Sequence, residues 1–232
     1  MKIGIMQPYF VPYIGFWQLL NAVDQYVIYD DVNFIKGGWI NRNRILVQGK
    51  PQYFNIQMEG ASPFKKINEI NVNSSVVWRE KAMKTIDLAY RKAPYFNTVY
   101  PLIEKIIFCG ENNLAQFVTN SIRCICDYLD ITTRLIISSE FEQDRALRGQ
   151  DRVLDICSRL QATEYYNAIG GRELYSKDAF AQNGIELHFL KTNDIMYQQF
   201  ENDYTPYLSI IDVMMFNSKE EMCNLIHQYA LV

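Results

Sequence analysis

The sequence predicts an α/β fold in which a Rossmann-like, mostly parallel sheet is flanked by helices, with a β-hairpin insertion and a helical segment. Three observations predict it. Short apolar runs stop at Pro, Gly or carboxylates, apolar residues recur at helical spacing between them, and this rhythm returns after residue 130. With no repeat, linker or low-complexity tract in 232 residues, 1–232 reads as one α/β domain with a helical subregion at about 76–130.

Ile3-Gly4-Ile5-Met6, ended by Gln7-Pro8, suits a buried strand and its exit turn. Phe16, Trp17, Leu19, Leu20 and Val23 have helical spacing, and Gln25-Tyr26-Val27-Ile28-Tyr29-Asp30 is a β-rich run, so this stretch reads as a βαβ unit. Residues 44–48 and 52–57 flank Gly49-Lys50 as a hairpin, and the alternation over 66–72 predicts a further strand paired with it. Helical patterns follow over 78–91, 95–108 and about 113–129, the first two separated by Ala93-Pro94. Residues 134–139 then form a strand, 151–160 a helix, 163–167 a strand, 177–183 a short helix and 185–190 a strand, before the apolar segment 208–216 leads into a C-terminal helix.

Composition narrows the function classes. A hydrophobic fraction of 49% excludes disorder, and Lys+Arg 23 against Asp+Glu 26, a net charge of -3, leaves no general basic field for duplex nucleic acid. Five cysteines without a Cys-x-x-Cys pair read as reduced, mostly buried thiols, and two histidines cannot build a zinc-type His cluster, so no metal site is expected. The N-terminus lacks the pattern of a secretory signal and no apolar stretch approaches the roughly 18–20 residues needed to cross a bilayer, which predicts a soluble, cytoplasmic protein. No cofactor motif is present; the cofactor is unknown.

Ligands in open α/β sheets bind outside the carboxyl ends of the strands, which singles out three segments. In the first, Gln7-Pro8-Tyr9-Phe10-Val11-Pro12-Tyr13-Ile14-Gly15-Phe16, the spacing Phe10-x-Pro12-x-x-Gly15 is similar to the turn of HIGH-superfamily nucleotidyltransferases. Phe16 stands where their phosphate-holding His would be, and Phe cannot donate to a phosphate oxygen. Gln7, Tyr9 and Tyr13 are the candidate ligand contacts here; Tyr9, Phe10 and Tyr13 would equally pack the loop. The second, residues 30–44, gathers Asp30, Asp31, Lys36, Gly37-Gly38, Trp39, Asn41, Arg42, Asn43 and Arg44. Lys36, Arg42 and Arg44 suit a pyrophosphate, Trp39 a stacking face, and Asp30 or Asp31 a hydroxyl contact or general base. A hairpin whose Asp and Arg residues pair across its surface would use the same residues. In the third, Gly170-Gly171 after the strand at 163–167 either exposes backbone N–H groups to an anion or makes a plain turn into a helix. Ser138-Ser139 ends a strand without a His partner for a triad, and Ser209, Asp212 and Asn217 suit bracing from behind.

Gln7-Pro8-Tyr9-Phe10 with Pro12-Tyr13-Ile14-Gly15, then Tyr29-Asp30-Asp31 and Gly38-Trp39-Ile40-Asn41-Arg42-Asn43, resembles the WbqC-like protein family. The resemblance extends through Tyr90-Arg91-Lys92-Ala93-Pro94-Tyr95-Phe96, Ser138-Ser139, Gly170-Gly171 and Tyr197-Gln198 to Leu208-Ser209-Ile210-Ile211-Asp212 and Phe216-Asn217, and departs at Ser218, where a Gly-containing turn is expected. It implies a bacterial surface-polysaccharide (O-antigen) biosynthesis protein that modifies a nucleotide-linked amino sugar by acyl or aminoacyl transfer, from a donor the sequence does not identify.

On that implication Asp30 or Asp31 deprotonates the sugar ammonium, Trp39 or Tyr9 stacks on base or sugar, and Lys36, Arg42 and Arg44 lie near the phosphates. Gln7, Asn41 and Asn43 orient the donor or bond the oxyanion. The alternatives are a non-catalytic protein that binds a sugar nucleotide or a pathway partner, and a HIGH-superfamily-like nucleotidyltransferase. The crevice reading requires Gln7, Tyr9, Asp30, Asp31, Trp39, Asn41 and Arg42 to converge.

Overall fold

Alternating apolar segments of two periods build the chain seen in a computed structural model that describes residues 1–201 and 203–232. It opens with β1 (Lys2–Met6), α1 (Ile14–Asn21) and β2 (Gln25–Ile28), and continues through β3 (Arg42–Val47), β4 (Lys50–Asn55), β5 (Met58–Glu59) and β6 (Asn71–Val72). Three helices follow, α2 (Val76–Tyr90), α3 (Phe96–Ile107) and α4 (Leu114–Leu129). The second half runs β7 (Arg134–Ile137), α5 (Gly149–Arg159), β8 (Glu164–Ala168), α6 (Lys177–Gln182), β9 (Glu186–Thr192), α7 (Ile210–Phe216), α8 (Lys219–Leu225) and β10 (Tyr229–Leu231).

The central sheet has the order β10-β9-β8-β1-β2-β7, parallel except for β10, which pairs antiparallel with β9. The predicted α/β class with a mostly parallel sheet is therefore observed. Period-2 alternation buries both faces. Ile3, Ile5, Val27, Tyr165, Leu187 and Phe189 meet α5 and α6 on one side, while Tyr26, Ile28, Tyr166 and Leu190 meet α1, α4, α7 and α8 on the other. Gly4 lets Tyr26 pack closely over β1, because a Cβ there would lie 3.1 Å from the ring and the ring would have to give way by a few tenths of an ångström. Chain β1 leads to β2 on one side while β8 lies on the other, so the loops after β1 and β8 part at a topological switch point.

The predicted hairpin is β3–β4, closed by Gln48 and Gly49 with φ of 50° and 72°, the two left-handed residues of a tight primed turn. The expectation that 66–72 forms a strand on this hairpin is corrected. Ile67–Glu69 is a 3-10 turn, Lys66 makes an isolated antiparallel bridge to Asn33, and Asn71–Val72 forms the strand, pairing with β5 instead. Backbone bonds from Phe34 to Lys65, from Ile67 to Val32 and from Asn68 to Asp30 use up this segment's partners along residues 30–34. Ser218, where a glycine turn is expected, instead caps α8 in a reciprocal box with Glu221. The final strand β10 was outside the sequence expectations.

A buried polar knot locks the C-terminal half onto the hairpin. Asp212 accepts hydrogen bonds from Tyr90 Oη at 2.8 Å, Tyr197 Oη at 2.7 Å and Gln199 Nε2 at 2.8 Å, and Tyr90 Oη in turn accepts the Leu46 N–H at 3.0 Å. Burial raises the Asp212 carboxyl above its ordinary value against the pull of these three donors. Ser209 Oγ donates to Val11 O at 2.6 Å and its N–H to Arg44 O at 2.8 Å, which pins the loop after β1. Tyr90→Phe strands the Leu46 N–H and one carboxylate lone pair in the core, so chemical denaturation should show a loss of about 1–3 kcal/mol.

Candidate functional site

The carboxyl ends of β2 and β7 deliver two adjacent carboxylates and two adjacent hydroxyls to one place. Asp30, 3% exposed, accepts the Ser139 N–H at 2.9 Å through Oδ1, and Ser139 Oγ at 2.7 Å and Asn68 Nδ2 at 3.4 Å through Oδ2. Asp31, 4% exposed, accepts Ser138 Oγ at 2.7 Å and the Arg152 guanidinium at 2.6 Å, with Arg145 Nε 3.4 Å away. Gln143 ties the set together, donating to Ser138 Oγ at 2.9 Å and accepting from Arg152 Nε at 2.9 Å. Burial alone would raise the Asp31 carboxyl, but the Ser138 hydroxyl, Arg152 and Arg145 outweigh it and hold it below the ordinary carboxylate range. Asp31 is thus an anchored anion whose charge fixes the guanidinium beside it.

This partition separates two cavities. Asp30 faces a polar one of about 250 Å³ with Glu111, Glu140, Asn68, Gln116, Asn120 and Arg123 in its walls, and the Asn120 Nδ2 is buried without a protein partner. Asp31 faces another of about 320 Å³ whose walls carry Lys66, Arg145, Arg148 and Arg152 with Tyr29 and Tyr175. Burial pushes the Tyr29 hydroxyl up to about 12, against the opposing effect of Arg152, whose guanidinium lies 4.8 Å from the ring centre. Tyr29 therefore stays a neutral donor.

The other sequence-selected residues line neither of these cavities, although Gln7 follows β1 at the same strand edge, where Tyr29 N–H donates to Met6 O at 2.9 Å. Tyr9, Tyr13, Trp39 and Asn43 come together with Arg44 and Tyr207 around a smaller aromatic cup of about 210 Å³. Trp39 is 41% exposed, and Asn43 Nδ2 donates to Phe10 O at 3.3 Å. Arg42 is committed to the turn before it, donating to the Gly38 carbonyl at 3.1 Å and to the Gly37 carbonyl, with its guanidinium 4.3 Å from the Tyr53 ring centre. Gly37, at φ 79°, supplies the left-handed conformation of that turn, and Lys36 projects from it exposed. Asn41 reaches the Ile56 carbonyl at 3.4 Å. Gln7 is half-buried at the end of β1, its Oε1 without a protein partner. Gly170 and Gly171 fall in the 3-10 turn Ile169–Leu174, where Gly171 leaves room for Asn167, whose Oδ1 would be 3.0 Å from a Cβ. Phe16, at the position of the HIGH histidine, is buried against Trp17 and Tyr26.

Sequence reasoning therefore gathered two groups that the fold keeps apart, Asp30 and Asp31 at the strand ends and Tyr9, Tyr13, Trp39 and Asn43 at the cup. It missed the cations that face the carboxylates. One signal was legible, since Arg145, Arg148 and Arg152 recur every three or four residues from the loop after a predicted strand into the first turn of its helix. Lys66 had none, because it is brought in by the pairing of 65–68 with 30–34.

Among the described residues no helix is long and apolar enough to cross a membrane, and no group of three His, Cys, Asp or Glu could hold a metal ion. A protein of Mycobacterium tuberculosis (strain ATCC 25618 / H37Rv) named "Uncharacterized protein Rv1507c" is 27% identical over 219 residues, 93% of each chain. No solved structure matches significantly. The model of the WbqC-like protein family matches residues 7–224, spanning the strand ends, both cavities and the cup, and the chain belongs to the WbqC-like protein family.

Proposed function

We propose that the protein acts in bacterial surface-polysaccharide (O-antigen) biosynthesis and transfers an acyl or aminoacyl group to the amine of a nucleotide-linked amino sugar. One observation carries this reading: a buried carboxylate, Asp30, opens onto a polar cavity at the carboxyl edge of a parallel sheet. Three carboxylates, Asp30, Glu111 and Glu140, against the single cation Arg123 leave that cavity the net negative character an ammonium group needs, and its amide side chains suit sugar hydroxyls. Asp30 takes the ammonium proton; the freed nitrogen forms the new C–N bond to the acyl carbonyl of an activated donor. The bond from that carbonyl to its leaving group breaks, the electron pair departs on the leaving group, and the second amine proton, released as the amide forms, passes to that leaving group.

A second reading, binding of the sugar nucleotide without chemistry, is favoured by the three donors already engaging Asp30. Thermal unfolding with UDP- and dTDP-linked amino sugars, each beside its hydroxyl counterpart, tests the acceptor. At ~100 times its dissociation constant a ligand adds roughly 2.7 kcal/mol, so the amino form should raise Tm by several degrees more than the hydroxyl form. Equal or absent shifts refute the amino-sugar assignment. Mass spectrometry after incubation with acyl-coenzyme A and aminoacyl donors then separates transfer from binding alone.

A further inference from the structure

We propose that the cavity beside Asp31 is a diphosphate-binding site. Its walls carry four cationic side chains against the single carboxylate of Asp31, in a protein whose net charge is -3. The field there is local and built. Arg152 has a side chain only 5% exposed and is fixed by Asp31 and Gln143, so its guanidinium is oriented before any ligand arrives. Arg148 donates to the backbone carbonyls of Arg145 and Leu147, and among the described residues no carboxylate pairs with Arg148 or Lys66. These two cations have charge to offer.

The first turn of α5 enters the same wall at Gly149 with no side-chain cap on its N–H groups. Gly149 sits at φ 52° with nothing within 4 Å of an added Cβ, so glycine serves the backbone conformation that turns the chain into the helix. The helix end adds partial positive charge to the four side chains, and Asp151, the acidic residue of that first turn, is absent from the cavity wall. A carboxylate would leave most of this charge uncompensated, whereas a diphosphate, with two to three negative charges, matches it. Sequence inspection placed phosphates near Lys36, Arg42 and Arg44, but Arg42 is spent on the turn at Gly37–Gly38, Arg44 lines the aromatic cup, and Lys36, exposed beside that turn, lines neither strand-end cavity.

The inference deepens the proposed function by locating the carrier half of its substrate, and rests on that reading only for what the diphosphate is attached to. Titration calorimetry with inorganic pyrophosphate tests it without an amino sugar, so its outcome is separable from that of the acceptor. Pyrophosphate should bind at least tenfold more tightly than acetate, with affinity falling as NaCl rises. Arg148→Gln and Lys66→Gln, at one exposed and one half-buried residue of the wall, should each weaken it about tenfold. UDP and geranyl diphosphate form parallel arms; the one that binds more tightly than pyrophosphate names a nucleotide or a lipid carrier. No pyrophosphate binding, or unchanged binding in both variants, overturns the proposal, and so does loss of binding in Lys36→Gln alone, which would return the phosphates to the turn before β3.

Discussion

Asn in place of Asp31 lowers the unfolding free energy by about 3 kcal/mol, because it leaves the Arg152 guanidinium buried without its counter-charge. The companion contact contributes less. Arg145 is half exposed and 3.4 Å away, so salt screens it, and Arg145→Gln should cost under about 1 kcal/mol. The same carboxylate sets an acid limb. Its folded pKa is depressed, so its contribution is fully present above the unfolded value of about 3.9 and is lost as pH falls through the lower folded value. Urea unfolding between pH 3 and pH 7 should show wild type losing more stability than Asp31→Asn on acidification. Parallel profiles would mean that Asp31 and Arg152 do not form the anchored pair described above.

On the proposed reaction, Asp30→Asn should cut acyl transfer by about 10²–10⁴-fold while leaving the melting temperature within a few degrees of wild type. Asn keeps the shape of the side chain and can still accept the Ser139 N–H, but it cannot take a proton from an ammonium group. The amide also changes the bonding to Ser139 Oγ, so Ser139→Ala is the matching control. That variant removes the hydroxyl donor and retains the carboxylate, and it should fall by less than Asp30→Asn. Full turnover in Asp30→Asn would rule out Asp30 as the proton acceptor. The two substitutions also separate the roles of neighbours in sequence: loss at Asp31 appears first in stability, loss at Asp30 first in rate.

Particular residues show how far local pattern reaches. The β1–α1–β2 unit was legible because apolar period and turn residues agree over one continuous stretch, and the register Ile3↔Gln25 to Met6↔Ile28 follows. Residues 66–72 misled because alternation over seven residues suits a strand, while the backbone partners that decide the matter lie along 30–34. Trp39 and Arg42 are near Asp31 in the chain and serve other surfaces, the cup and the turn. Arg152, distant in sequence by 121 positions, is the residue that holds Asp31.

By itself the sequence determined the α/β class, the helices and strands of the parallel sheet, and Asp30 and Asp31 as strand-end carboxylates, because periodicity and turn chemistry are written in consecutive residues. Only the tertiary structure decided which cations meet those carboxylates, that Asp30 and Asp31 open onto different cavities, and that the aromatic residues gather apart from both. The physical reason is that ion pairing and cavity shape depend on which distant segments the sheet order brings to one edge, and no local period encodes that neighbourhood.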